Sequence, residues 1–183
     1  MLPFLWISQL SDKQDKIKIM LLKKKYRVWL ELLIIVLVFF AIRLWVQRDV
    51  VKGVAPEINA ITLQGKSFDL YQQKKRPILL HFWASWCPVC KLEQSSINNL
   101  AKDYPVITVA MQSGNDAELN QYMKDEKLVF NVINDESGQL SRKYRIKGVP
   151  VSFVISENNR IKFVEAGYTT ELGLRLRLWW ASL

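Results

Sequence analysis

Apolar positions along the chain fall into one long run near the amino terminus and, later, short runs separated by stretches of helical period. The long run, Val28 to Val46, reads VWLELLIIVLVFFAIRLWV. As a helix it would extend about 28 Å, close to the hydrocarbon thickness of a bilayer. Glu31 and Arg43 interrupt it and leave an uncharged core, Leu32 to Ile42, of a length that also suits a signal peptide. Both charges lie near the ends, where Arg43 can snorkel, and Tyr26, Trp29 and Trp45 stand where interfacial aromatics belong. The only small-x-small match downstream, Gly53-Val54-Ala55, is distant from the run and followed by Pro56, a poor cleavage context. An uncleaved anchor over residues 28–46 is therefore expected, after a basic cytoplasmic segment, residues 1–27, and before a linker, residues 47–56. Lys13, Lys16, Lys18, Lys23, Lys24, Lys25 and Arg27 precede the run and fix its orientation, because positive flanks stay in the cytoplasm. Met20 opens a compact MLLKKKYR directly before it and is expected to be the true start.

Beyond the linker, residues 57–183 read as one domain. Ile58–Leu63 and Ser67–Leu70 flank Gln64-Gly65-Lys66, a hairpin with glycine in the turn. Pro77 introduces ILLHFW, a buried strand, and residues from Pro88 to about Asp103 carry Val89, Leu92, Ile97 and Leu100 at roughly helical spacing. VITVA follows as a strand, then a helix over 116–126, the strand VFNVI, and a short helix near Leu140 to Tyr144. VSFVI and IKFVEA flank the turn-rich Glu157-Asn158-Asn159-Arg160, a hairpin connection. Thr169 or Thr170 can cap a last amphipathic helix, whose Trp179 and Trp180 are expected to pack on the sheet. Alternation of this kind predicts an α/β fold with a largely parallel central sheet.

Charge changes the picture less than its sum suggests. Of 26 Lys+Arg and 17 Asp+Glu, residues 1–52 hold 10 and 4, and the rest 16 and 13. The excess thus surrounds the apolar run, which points to membrane topology and away from nucleic acid. Arg142, Lys143, Arg145 and Lys147 form a basic cluster that reads as a solvated face or as a greeting for an acidic partner.

The only two cysteines, Cys87 and Cys90, cannot build a disulfide framework or a four-thiolate zinc site. They sit in Trp86-Cys87-Pro88-Val89-Cys90-Lys91, where a buried strand ends and a helix begins. At a helix amino terminus, unpaired N–H groups and the positive dipole end stabilise a thiolate, so Cys87 should ionise more easily than free cysteine. Its exposed thiolate would attack a disulfide, and Cys90, one turn deeper, would displace the product. Haem attachment fails because Lys91, not histidine, follows the second cysteine.

The stretches FWASWCPVCKLE and RIKGVPVSFVI, across roughly residues 57–170, resemble the thioredoxin superfamily. The leading hairpin and an inserted helix-strand unit between Asp116 and Ile133 bring the likeness closest to the anchored periplasmic branch of TlpA-like and ResA-like reductants. VAMQSG and CPVC are most similar to the thioredoxin-like member of copper-sensitivity suppressor systems. The resemblance implies a thioredoxin-like fold, with a central mixed sheet flanked by helices, and a redox-active Cys87–Cys90 disulfide with no cofactor or metal. It also implies that Pro150 is a cis-proline facing the dithiol, with the Val149 backbone available to a substrate strand. Protein thiols or disulfides would be the clients, a membrane reductase the electron donor, and the outer face of the bacterial inner membrane the location.

Glu93 fits the acidic position that follows the motif in ResA-like proteins, and His81 stands where thioredoxin has a buried aspartate. Each is a candidate proton acceptor for Cys90, and each has a plainer reading, His81 as a core histidine bonded to backbone and Glu93 as a solvated helix residue. Histidine for aspartate, and Pro88-Val89 for Gly-Pro, are departures that bear on the redox poise. Three other readings stay open: an oxidant running the reverse reaction, a copper(I) carrier or client-holding module, and an inert disulfide.

Overall fold

A computed structural model describes residue 27, residues 29–38 and residues 50–183. Two compact units divide at Trp45 and Val46. In the first, residues 29–38 are helical and their apolar side chains are exposed. Among the described residues no helix is long and apolar enough to cross a membrane. The expected anchor over 28–46 extends outside the described residues, and Met20 lies outside them altogether.

The second unit holds a six-stranded sheet in the order β1-β8-β7-β4-β5-β6 and a separate two-stranded hairpin, β2-β3. The strands are β1 (Gly53–Val54), β2 (Asn59–Ile61), β3 (Ser67–Asp69), β4 (Ile78–Trp83), β5 (Val106–Met111), β6 (Asn131–Asp135), β7 (Val151–Ile155) and β8 (Arg160–Ala166). The helices are α1 (Pro88–Asp103), α2 (Asp116–Asp125), α3 (Gln139–Lys143) and α4 (Glu171–Ala181). All six residues of β4 are buried, as a central strand covered on both faces requires. Its alternate side chains feed two cores. Leu79 and Trp83 pack with Ile97, Leu100, Leu174 and Leu178 beneath α1 and α4, and Leu80 and Phe82 pack with Tyr144 and Phe153 on the opposite face.

The sheet is mixed rather than largely parallel, with three antiparallel and two parallel neighbour pairs. β4, β5 and β6 run parallel through the α1 and α2 crossovers, whereas β7 and β8 are joined by a short turn that can only make an antiparallel pair. β6 starts two residues later than the run VFNVI suggests. Val129 is left exposed, and pairing with β5 begins at Asn131, opposite Ile107.

Asn115 and Glu118 form a reciprocal capping box at the start of α2, and the Thr170 hydroxyl caps α4 by accepting from Gly173 N–H. α4 then runs alongside α1, away from the dithiol. Asn99 Nδ2 donates to Glu171 at 3.2 Å, and four residues on Arg175 Nη1 meets Asp103 at 2.7 Å. The expectation that Trp179 and Trp180 pack on the sheet is overturned. The inward positions of α4 are taken by Leu174 and Leu178, which leaves the two indoles 56% and 68% exposed.

Candidate active site

Pro88 opens α1 at a position where a missing N–H costs nothing, and Cys87 is the N-cap. Cys87 and Cys90 are joined in a disulfide with Cα atoms 5.3 Å apart. The Cys90 N–H donates to Cys87 Sγ at 3.2 Å, so the sulfur takes the place of the side-chain oxygen that usually satisfies a first-turn donor. No carboxylate lies in the first turn to oppose that field. Both cysteines are nearly closed off, Cys87 at 4% and Cys90 at 1% exposure, while Trp86 and Val89 stand out beside them. The Cys87 sulfur is thus less open than its place in the sequence suggests, and two exposed apolar side chains border it.

Two loops frame the pair. Val149 O lies 3.6 Å from Cys87 Sγ, and the Val149–Pro150 bond is cis, which turns the chain beside the dithiol before β7 begins. On the other side the turn after β5 buttresses the motif. Ser85 N–H donates to Ser113 Oγ at 3.0 Å, and Trp86 Nε1 donates to the Gln112 carbonyl at 3.1 Å. Gln112 holds a left-handed conformation at φ 44° to make that turn.

Glu93 is not solvated. It lies on the buried face of α1 with Cys90, one turn further on. Its Oε1 accepts from the Thr169 backbone N–H, while Oε2 is buried with no hydrogen-bond partner among the described residues. Burial raises this carboxyl to about 7, against the opposing pull of the Thr169 N–H.

His81 is buried on the same face of β4 as Leu79 and Trp83. Its Nδ1 lies 2.8 Å from the hydroxyl of Ser152, its register partner on β7, so a side chain rather than backbone satisfies it. Burial pushes it down to about 3, which keeps the ring neutral. A neutral imidazole leaves this spot uncharged, where an aspartate could carry an anion. The basic cluster is exposed around α3, with Arg142 Nη1 bound to Ser137 O at 2.9 Å and Lys143 Nζ to Glu57 O at 2.6 Å.

The AhpC/TSA family model matches residues 51–164. The chain belongs to the AhpC/TSA family. Among its curated relatives, the "Thioredoxin-like protein" of Haemophilus influenzae is 35% identical over 168 residues, which span 89% of this chain and 98% of that protein. Sporulation thiol-disulfide oxidoreductase A of Bacillus subtilis is 31% identical over 116 residues, 60% of this chain and 70% of the other. Among solved structures, a DsbE-type thiol:disulfide interchange protein of Chlorobium tepidum superposes with a TM-score of 0.64 at 26% identity, covering 72% of this chain and 98% of that one. StoA of B. subtilis gives 0.58 at 29% identity, with 68% and 97% covered. These likenesses place this AhpC/TSA member with the ResA-, StoA- and DsbE-type proteins, a thioredoxin-like α/β fold. The part of the chain that covers them corresponds to nearly the whole of each solved relative, so the domain is a folding unit in its own right.

Sequence reasoning missed Ser113, Gln112, Thr169 and Ser152 as supports of this site. Each reaches it from a distant strand or turn, and one chain read alone carries no signal for such contacts. VAMQSG was visible only as a resemblance, not as the buttress under Ser85 and Trp86.

Proposed function

We propose that this protein is a membrane-anchored, extracytoplasmic thiol-disulfide oxidoreductase that reduces disulfides in other proteins, with Cys87 attacking and Cys90 resolving. The coarser part of that statement, a thioredoxin-family enzyme acting on protein thiols and disulfides, is carried by its relatives. One observation carries the assignment of roles: the Cys90 N–H points at Cys87 Sγ, so a negative charge on that sulfur gains a donor and the positive end of α1.

In the reduced protein the Cys87 thiolate attacks one sulfur of a client disulfide. A bond forms between Cys87 and the client, and the other client sulfur leaves as a thiolate. Cys90 then loses its proton and attacks Cys87 Sγ, which restores the internal disulfide and frees the second client thiolate. Two electrons pass to the client. Glu93, on the same helical face as Cys90 and raised to about 7, is the group that accepts the Cys90 proton, since a carboxyl poised near neutral pH can both take and return it. Val149 and cis Pro150 border the sulfur where the client strand would lie, and Trp86 and Val89 offer it an apolar rim. His81, neutral and bound to Ser152, supports the strand beneath without taking a charge.

Each turnover leaves the internal disulfide oxidised, so a donor of two electrons must restore it. A membrane reductase is the partner that fits an anchored enzyme. The anchor is the run 28–46, with its basic residues on the cytoplasmic side. The reductant direction rests on the resemblance to ResA-like proteins. Trapping tests the roles: Cys90→Ala should accumulate mixed disulfides through Cys87, and Cys87→Ala should not. Equal trapping by both variants would overturn them. A reduction potential near about −270 mV supports the reductant, and one near about −120 mV would make the protein an oxidant.

A further inference from the structure

α4 presents an apolar face that the fold does not use. At 100° per residue, Leu172, Leu176, Trp179 and Trp180 fall within about 100° of one another, opposite the buried Leu174 and Leu178. All four are exposed. Arg175 and Arg177 flank the sector on either side, and each is already held by carboxylates, Arg175 by Asp103 and Glu171 and Arg177 by Glu165. We propose that this face of α4 lies on the lipid bilayer, with Trp179 and Trp180 at the level of the head groups. The proposal rests on reading residues 28–46 as the anchor.

The tether argues for lipid as the occupant. Six residues, 47–52, separate the apolar run from β1. Fully extended they reach at most about 20 Å. A domain of this length has a radius of gyration of about 14 Å. One flank of the domain is therefore always within reach of the membrane, and a helix with paired indoles on an apolar stripe is the surface that gains most from meeting it. Because the flanking arginines are paired, the gain comes from burying indole and leucine, and binding should depend little on salt or on anionic lipid. The geometry leaves the chemistry free. α4 starts beside Glu93 through Thr169 and runs away from the dithiol, so Trp179 lies about 14 Å along the helix from its cap.

The test is tryptophan oxidation footprinting of the full chain reconstituted in phosphatidylcholine vesicles, compared with the released domain, residues 46–183, in buffer. Trp179 and Trp180 should react several-fold more slowly in the vesicles, while Trp86 reacts alike in both. Equal rates in the two settings would overturn the proposal. So would protection of the same two residues in the released domain that grows with protein concentration, since the face would then serve a second copy. Alkaline carbonate extraction of the full chain separates the two claims. A chain that stays with the membrane while its Trp179 and Trp180 remain reactive refutes docking alone, and a chain released by carbonate refutes the anchor.

Discussion

Replacing Glu93 with glutamine should remove one pH-dependent contribution to the domain's stability in a defined window. The carboxyl is buried, Oε1 is held by the Thr169 N–H, and Oε2 has no partner among the described residues, so the ionised form gives up more hydration than that one hydrogen bond returns. The group ordinarily titrates at 4.5 and is raised to about 7 here. A folded-state value above the unfolded one means that this group's contribution to stability is fully present below 4.5. It is lost as pH rises from there through about 7. Each tenfold change in proton affinity corresponds to about 1.4 kcal/mol, so the loss by pH 8 amounts to roughly 3 kcal/mol.

Glutamine keeps the shape, and its amide oxygen can still accept from Thr169, but it never ionises. The assay is urea denaturation of the oxidised domain, residues 46–183, from pH 4.5 to 8.5, with the disulfide intact so that no thiol titrates. The difference between wild type and Glu93→Gln should move in favour of the variant by up to about 3 kcal/mol across the window. Parallel stability curves for the two proteins would refute the reasoning. In exchange kinetics the same variant should lose a limb with a midpoint near 7 from the rate profile.

Ser152→Ala removes the hydrogen-bond partner of the buried His81 ring and should cost about 1–3 kcal/mol in urea unfolding; a loss below about 0.5 kcal/mol would count against that pairing. His81 is held down to about 3 by burial, so its contribution is present above its ordinary value of 6.5 and lost as pH falls from there. A His81→Asn protein should accordingly lose less stability than wild type between pH 7 and pH 4.5 in the same titration. If the exposed ring of Trp86 meets clients as proposed, Trp86→Ala should raise KM for a protein disulfide while leaving the reaction with a small aromatic disulfide unchanged; an equal loss on both substrates would argue for a structural role.

Most of the order of elements was legible because burial writes a clear pattern. ILLHFW and VITVAM are runs too short for helices and too apolar for turns, and Pro88 directly after the motif marks where α1 starts. Strand direction was less legible. The hairpin joining VSFVI to IKFVEA was legible from its turn, but alternation suggested a mainly parallel sheet and did not show that β7 enters antiparallel to β4. The two indoles of α4 failed for a different reason. Tryptophan usually signals burial, yet the helix has two inward leucines in register with the core, and periodicity alone does not say which apolar stripe wins when both exist. At the site, the position of Cys87 and Cys90 followed from local rules. The surroundings of Glu93 and His81 did not, because Thr169 and Ser152 lie 76 and 71 residues away along the chain.

The claim on which the mechanism turns is that the start of α1 stabilises negative charge on Cys87 and not on Cys90. Iodoacetamide labelling of the reduced protein, followed residue by residue in the mass spectrometer as pH is raised, measures this directly. Cys87 should be labelled first and reach half its maximal rate below about pH 7.5, while Cys90 lags behind it. A Cys87 profile that follows free cysteine, with its midpoint at about 8.5, and no preference between the two thiols would contradict the account.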